Sequence, residues 1–490
     1  MELVSFSFFL FVGCGLVVYY LIPIKHRWIV LLAMSMAFYA LAGKFAVIYV
    51  LISIISIYFS ARFIGSVEPL LKKKIILWAA IVLNIGILFV MKYYNYLAIN
   101  IGSRHALPQF SNMIIPLGLS FYTFQSVGYL LDVYWERVDP EKNIAKYALF
   151  VIFFPQIIQG PIGRYGHLQP QLINGNTFDC NLLKKGLILI LWGLFKKMVI
   201  ANRLIRLVDA LFNDPLSYDG CMVAVALVAY SIQQYADFSG GIDLISGVAE
   251  LFGIKLAPNF KRPYFATSLS DFWRRWHISL GAWMKDYVFY PLAMTKTMDK
   301  ICKLFSKNDN MRIYLGIQMF LCNTVVFLLV GIWHGPYLHY VVWGLYNGII
   351  IGIESVVNHK TSKSVVRHFL SMLWTFLIVN FGWFFDRSPS VGNALTMIRK
   401  LFTDSHPLSF SLSWLNGFEL VQNDYFIVAY GVLLMLIVSI YNENHKITVR
   451  DKLFSLRPAV AWPIYYVLLF TFVAFATSPE GASEFMYAQF

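Results

Sequence analysis

Long apolar runs dominate this chain, and the polar residues that interrupt them gather in a few places. Leu3 to Ile24, Ile313 to Trp333, Gly335 to Ile353 and Ala459 to Pro479 contain no Asp, Glu, Lys or Arg. Each approaches or exceeds the roughly 20 residues that cross a hydrocarbon core. A hydropathy window predicts about 11 to 13 membrane helices in all, so the expected fold class is an all-α polytopic membrane protein. Only Met1 and Glu2 precede the first run, with no basic stretch, so it is expected to be a retained span and not a cleaved signal.

The interruptions divide the chain by character. Residues 1–110 pattern as plain hydrophobic hairpins, 111–390 as apolar sequence rich in Trp, Tyr, His, Arg and Pro, and 391–490 as a polar loop followed by further spans. No Gly/Ser or Pro-rich linker separates them, which predicts a single membrane domain over 1–490. An ionisable side chain at mid-bilayer costs at least a few kcal/mol unless it faces protein or water, so the middle region is where function is expected. There, Phe153 to Tyr165 (FFPQIIQGPIGRY) places two prolines and two glycines in a hydrophobic run. These residues break helical hydrogen bonding and predict a re-entrant or broken helix lining a cavity.

Composition supports the membrane class: 58% of residues are hydrophobic and 13% charged, against about 25% charged in soluble domains. The net charge of +14 sits largely in clusters: Lys72 to Lys74, Lys184 with Lys185, Lys196 with Lys197, and the loop from Lys296 to Arg312. Such clusters are expected at cytoplasmic ends against anionic headgroups. None belongs to a soluble module, which argues against nucleic-acid binding. Five scattered cysteines without C-x-x-C spacing predict neither a disulfide frame nor a metal site. H-E-x-x-H, phosphate-loop and G-x-S-x-G motifs are missing as well, which removes metalloprotease, ATP-driven and serine-elbow chemistries.

What remains is histidine. His334, in Gly331-Ile332-Trp333-His334-Gly335, separates two charge-free runs. A neutral imidazole there is suited to act as general base toward a hydroxyl, and equally to serve as a hydrogen-bonded core histidine between helices. FWRRWHISLGAWMKDY, from Phe272 to Tyr287, sets Arg274, Arg275, His277, Lys285 and Asp286 among three tryptophans. Its apolar residues recur at helical spacing, as in an interfacial amphipathic helix, with an aromatic-belt anchor as the alternative. Just upstream, Asp237 and Asp243 flank Ser239. Either acid is placed to orient a histidine, to pair with Arg274 or Arg275, or simply to neutralise a neighbouring helix.

Taken in order, FFPQIIQGPIGRY (153–165), ADFSGGIDL (236–244), NFKRPYFATSLSDFWRRWHISLGAWMKDYVFYPL (259–292), GIWHG (331–335), WGLYNG (343–348) and FGWFFDR (381–387) form a series that resembles the membrane-bound O-acyltransferase family. The likeness is to its bacterial branch of alginate, peptidoglycan and exopolysaccharide O-acetyltransferases, and covers roughly residues 20–400. The closing FMYAQF (485–490) is similar to the aromatic tail of that branch, whereas Ala293-Met294-Thr295-Lys296 departs from the paired glycines common after Tyr290-Pro291-Leu292. The resemblance implies a tunnel through the core, with His334 as catalytic histidine and His277 as the second. Trp333, Arg274, Arg275, Asp237, Ser239, Asp286, Gln159 and Pro161 are then expected to bind substrate or donor. No bound cofactor or metal is implied. The donor would be acetyl-CoA or another acyl thioester, with an acyl carrier protein as a possible bearer. A polysaccharide hydroxyl is the implied acceptor and an extracytoplasmic hydrolase-like protein the implied partner, at the bacterial cytoplasmic membrane. Teichoic acid D-alanylation is the alternative within the family. From another class, a transporter of lipid-linked precursors would explain the buried polar residues, but no repeated half-chain motifs accompany them.

Overall fold

A computed structural model describes residues 3–42, 47–101, 118–157, 159–306, 310–356, 364–405 and 422–476. Two compact units make up the chain: Met1–Gly193 with Gly241–Pro258, and Leu194–Gly240 with Asn259–Ser483. The described residues are almost entirely helical, as the apolar pattern predicts. Seven helices among them are long and apolar enough to cross a membrane, and Phe6–Leu21 is a shorter apolar one.

The first unit carries α1 (Phe6–Leu21), α2 (Arg27–Ala42), α3 (Val47–Ser66), α4 (Leu70–Ile101), α5 (Leu119–Tyr134), α6 (Ile144–Ile152), α7 (Tyr165–Ile173) and most of α8 (Cys180–Leu194). Between α6 and α7 the chain leaves the helix, where the prolines and glycines of the 153–165 run predict a break. Glutamines take up the backbone groups this exposes. Gln125 accepts from the Gly163 N–H at 3.2 Å and from the Gln156 amide at 3.0 Å, and Gln156 also donates to the Pro161 carbonyl. Without such partners a buried carbonyl or N–H costs about 1–3 kcal/mol.

The second unit begins with a π-helix (Phe195–Ala201) and α9 (Asn202–Asn213); α10 (Gly220–Leu251) supplies residues to both units. Two short helices follow, α11 (Leu269–Arg275) and α12 (Ile278–Met284), then a second π-helical turn (Lys285–Phe289), α13 (Tyr290–Ala293) and α14 (Lys296–Phe305). The Lys296 to Arg312 segment is therefore not a plain loop: Thr295 caps a helix whose Met298 and Cys302 are buried. Longer helices complete the unit: α15 (Met311–His334), α16 (Leu338–Val356), α17 (Val365–Arg387), α18 (Val391–Thr403), α19 (Gln422–Asn444), α20 (Val449–Ser455) and α21 (Pro458–Phe475). The aromatic tail at 485–490 and the stretch 406–421 lie outside the described residues.

Close packing of α15 on α16 explains two glycine-bearing motifs. A Cβ on Gly344 would lie 2.4 Å from the Phe327 carbonyl oxygen, and one on Gly331 would lie 2.3 Å from that of Tyr340. Small residues let membrane helices approach at this range, where dispersion and shape hold them. This pairing fixes the end of α15 that carries His334.

Candidate active site

His334 closes α15, which starts from an Asn310 cap and runs through 313–333 without a charge. Its ring is almost fully buried among aromatic neighbours, with centroids 4.9 Å from Trp343, 5.0 Å from Trp333 and 5.6 Å from Tyr340. Trp273 of α11 braces this cage: its indole N–H donates to Asn347 at 3.0 Å, and its ring meets Trp343 edge-on at 5.6 Å. The tryptophans of FWRRWH thus serve as packing between α11 and α16 as well as apolar surface.

His277 also neighbours Trp333, whose ring centroid is 6.5 Å away. Phe238 of α10 meets the imidazole edge to face at 4.9 Å. The residue is buried and sits between α11 and α12 with φ +45°, in the left-handed region. For a side chain with a Cβ that conformation costs roughly 1–2 kcal/mol, so the surroundings must impose it. They do so through an antiparallel bridge between Phe260 and Trp276, flanked by Lys261 N–H to Arg275 O and Ile278 N–H to Asn259 O. His277 is outside the candidate membrane spans, and burial pushes its imidazole down from 6.5 to about 3, so it is neutral.

Acidic residues anchor the short helices around it. Glu354 accepts from the N–H groups of Leu269 and Ser270, each at 2.8 Å, and Ser268 accepts from Asp271 N–H, so the exposed N-terminus of α11 is fully capped. Arg275 pairs with Asp271 at 3.0 Å and with Glu443 at 2.9 Å, and Glu443 also binds Arg262. Arg274 is 72% exposed, near Asp271.

Asp237 forms an ion pair with Lys197 in which both side chains are only 1% exposed, and Ser239 accepts from Lys196 at 2.8 Å. This corrects the placement of Lys196 and Lys197 at an anionic headgroup surface. Both lysines project from the π-helix into protein, where each ammonium meets an oxygen of α10.

The structure brings His277, Trp333, His334, Asp237, Ser239, Arg274, Arg275 and Asp286 into the second unit, with Asp286 half-buried on the second π-helical turn. Gln159 and Pro161 belong to the first unit. Gln159 is fully buried against Gly241, where a Cβ would lie 2.3 Å from the amide oxygen, so the second glycine of ADFSGGIDL makes room for that side chain.

Several polar residues of this unit escaped the sequence reading. Asp386 in FGWFFDR is buried and accepts from Tyr230 at 2.6 Å and Gln234 at 3.3 Å. His339 reaches the Phe385 carbonyl at 2.8 Å and stacks within 4.1 Å of Tyr340, itself beside His334. Asn259 touches His277 directly at 3.2 Å. Two signals were available: apolar neighbours on both sides of Lys196-Lys197, and the presence of Asp386 and Asn259 inside recurring motifs.

The family model described as MBOAT, membrane-bound O-acyltransferase family, matches residues 136–305. A peptidoglycan O-acetyltransferase of Helicobacter pylori is 32% identical over 403 residues, covering 76% of this chain and 72% of the relative. A probable alginate O-acetylase of Azotobacter vinelandii is 26% identical over 98% of both chains. A teichoic acid D-alanyltransferase of Bacillus subtilis is 28% identical over 56% of this chain and 66% of its own length.

Proposed function

The chain belongs to the membrane-bound O-acyltransferase family and is a multi-pass membrane acyltransferase, and from this we propose that it transfers an acetyl group from a cytosolic thioester, acetyl-CoA or an acylated carrier protein, to a hydroxyl of an extracytoplasmic polysaccharide or partner protein. The observation that carries the reading is that two buried histidines both neighbour Trp333, one of them at the end of a charge-free helix.

His334 takes the proton of the acceptor hydroxyl as its oxygen attacks the thioester carbonyl. The tetrahedral intermediate collapses with cleavage of the C–S bond, and the proton passes from the imidazolium to the departing thiolate. A general base placed in this way contributes about 10²–10⁴-fold. A tunnel through the core holds donor and acceptor in line and limits water, which adds orientation to proton transfer. Trp333 and the aromatic cage shape the acyl end of that tunnel. Asp286 and Ser239 line the donor's approach, and Arg274, exposed beside Asp271, meets donor phosphates. The bacterial cytoplasmic membrane, with a hydrolase-like partner on its outer face, is the setting that suits such an acceptor.

Extent of identity favours acetyl transfer over D-alanyl transfer, because the D-alanyltransferase match covers a smaller part of this chain. Saponification of envelopes from cells with and without the protein separates the two. Ester-linked acetate that depends on the protein supports acetyl transfer; protein-dependent ester-linked D-alanine replaces it with the teichoic-acid reading.

A further inference from the structure

Three donors converge on one oxygen beside His277. Asn259 Oδ1 lies 3.0 Å from Ser279 N, 2.9 Å from Ser279 Oγ and 3.2 Å from His277 Nδ1. A backbone N–H can only donate, so the Asn259 atom facing it is the amide oxygen and not the nitrogen. His277 Nδ1 meets that same oxygen. An unprotonated Nδ1 would set two lone pairs against each other, so the proton of the neutral ring resides on Nδ1 and the lone pair on Nε2. From this geometry we propose that Asn259 is a positioning residue that holds His277 as its Nδ1–H tautomer, so that Nε2 presents a hydrogen-bond acceptor, and not a donor, to the bound substrate.

The proposal rests on the acyl-transfer reading and assigns the second histidine its side of the reaction. The left-handed backbone of His277 supports it, because strain of this kind persists only where surrounding contacts enforce it. The contacts here come from the same residue: Asn259 holds the Ile278 N–H with its carbonyl at 3.0 Å while its side chain takes Ser279 and the ring. Burial favours the neutral imidazole that the tautomer requires. Charged groups on the elements packed around the ring have partners of their own or face outward. On α10, Asp237 pairs with Lys197. On α11, Arg275 pairs with Asp271 and Glu443, and Arg274 is exposed. On the bridging segment, Arg262 binds Glu443 and Lys261 is exposed. On α15, His334 neighbours Trp333.

Asn259→Asp tests this with little change of shape. A carboxylate still accepts from Ser279 but stabilises the imidazolium, raising the His277 pKa. If transfer needs the Nε2 lone pair, its acidic limb moves to higher pH. The assay is incorporation of hydroxylamine-labile label from [¹⁴C]acetyl-CoA into membrane vesicles, measured between pH 3 and 9. The expected result is that the fall of kcat/KM caused by His277 protonation sets in about one pH unit or more higher than in wild type. Asn259→Ser, which keeps an oxygen of different reach, is expected to lower kcat about tenfold or more, since a misheld tautomer can cost up to about 10⁴-fold. An acidic limb in folded Asn259→Asp that overlays wild type, or Asn259→Ser with kcat within twofold of wild type, overturns the proposal. His334→Ala runs in the same assay: transfer that survives it removes the underlying reading, independently of Asn259.

Discussion

Helices α3 and α4 and the segment from the first π-helix to α12 both set lysines beside apolar runs, yet they handle them in opposite ways. On α3 and α4, Phe59, Phe63, Trp78 and Val82 are all at least half exposed, as expected for a surface facing lipid, and Lys72 and Lys74 lie exposed near the start of α4. Between 195 and 284 the exposed apolar surface gives way to buried ionisable groups: Lys196, Lys197, Asp237 and His277. Hydropathy accounts for these exposed residues of the first region. The second contradicts hydropathy at each of these residues, and a buried charge is tolerated only with a well-placed partner. The lesson is that a basic doublet in an apolar run has two meanings, separated by whether an acid elsewhere in the chain can reach it. Lys184 is exposed on α8, whereas Lys197 is sealed against Asp237.

The contrast breaks most readily at the histidines. His334→Ala is expected to lower acyl transfer about 10²–10⁴-fold with membrane abundance unchanged, as measured by label transfer in vesicles; substitutions of exposed Trp78 should leave transfer near wild type. Next in size is Lys197→Ala, which strands a buried carboxylate and should destabilise the protein by about 3–5 kcal/mol, read as a lower melting temperature in detergent. Lys184→Ala should stay within about 0.5 kcal/mol, and equal effects of the two substitutions would abolish the distinction drawn here. Glu354→Ala removes the cap on α11 and should cost about 1–2 kcal/mol. It should lower transfer as well, because α11 positions His277.

A dependence on pH sharpens the comparison further. The His277 imidazole lies below its ordinary 6.5, at about 3, when folded. The unfolded chain therefore takes up the proton first, so the stability contributed is full above pH 6.5 and declines as pH falls toward 3. Melting temperatures of wild type should fall over that interval more steeply than those of His277→Gln.

Much of this was legible in the sequence because two strong signals need no tertiary context. Charge-free runs such as Ile313 to Trp333 announce membrane helices, and α15 covers that run from Met311 to His334. The prolines and glycines of 153–165 announce the break between α6 and α7. The Lys197–Asp237 pair joins residues 40 positions apart, and Glu443 reaches Arg275 across 168, so neither was visible to local periodicity. The α14 helix was missed for a different reason: its lysines dominate the composition, while the burial of Met298 and Cys302 depends on packing against neighbouring residues such as Ile317 and Leu321. Asn259 was hidden by its ordinary neighbours, since only the left-handed turn at His277 brings the ring onto its amide.

Label transfer from [¹⁴C]acetyl-CoA by the purified protein in proteoliposomes, comparing wild type with His334→Ala at equal protein, addresses the central claim most directly. The account predicts ester-linked label with wild type and a loss of at least about 100-fold with the variant. Equal label with both proteins would contradict a catalytic role for His334.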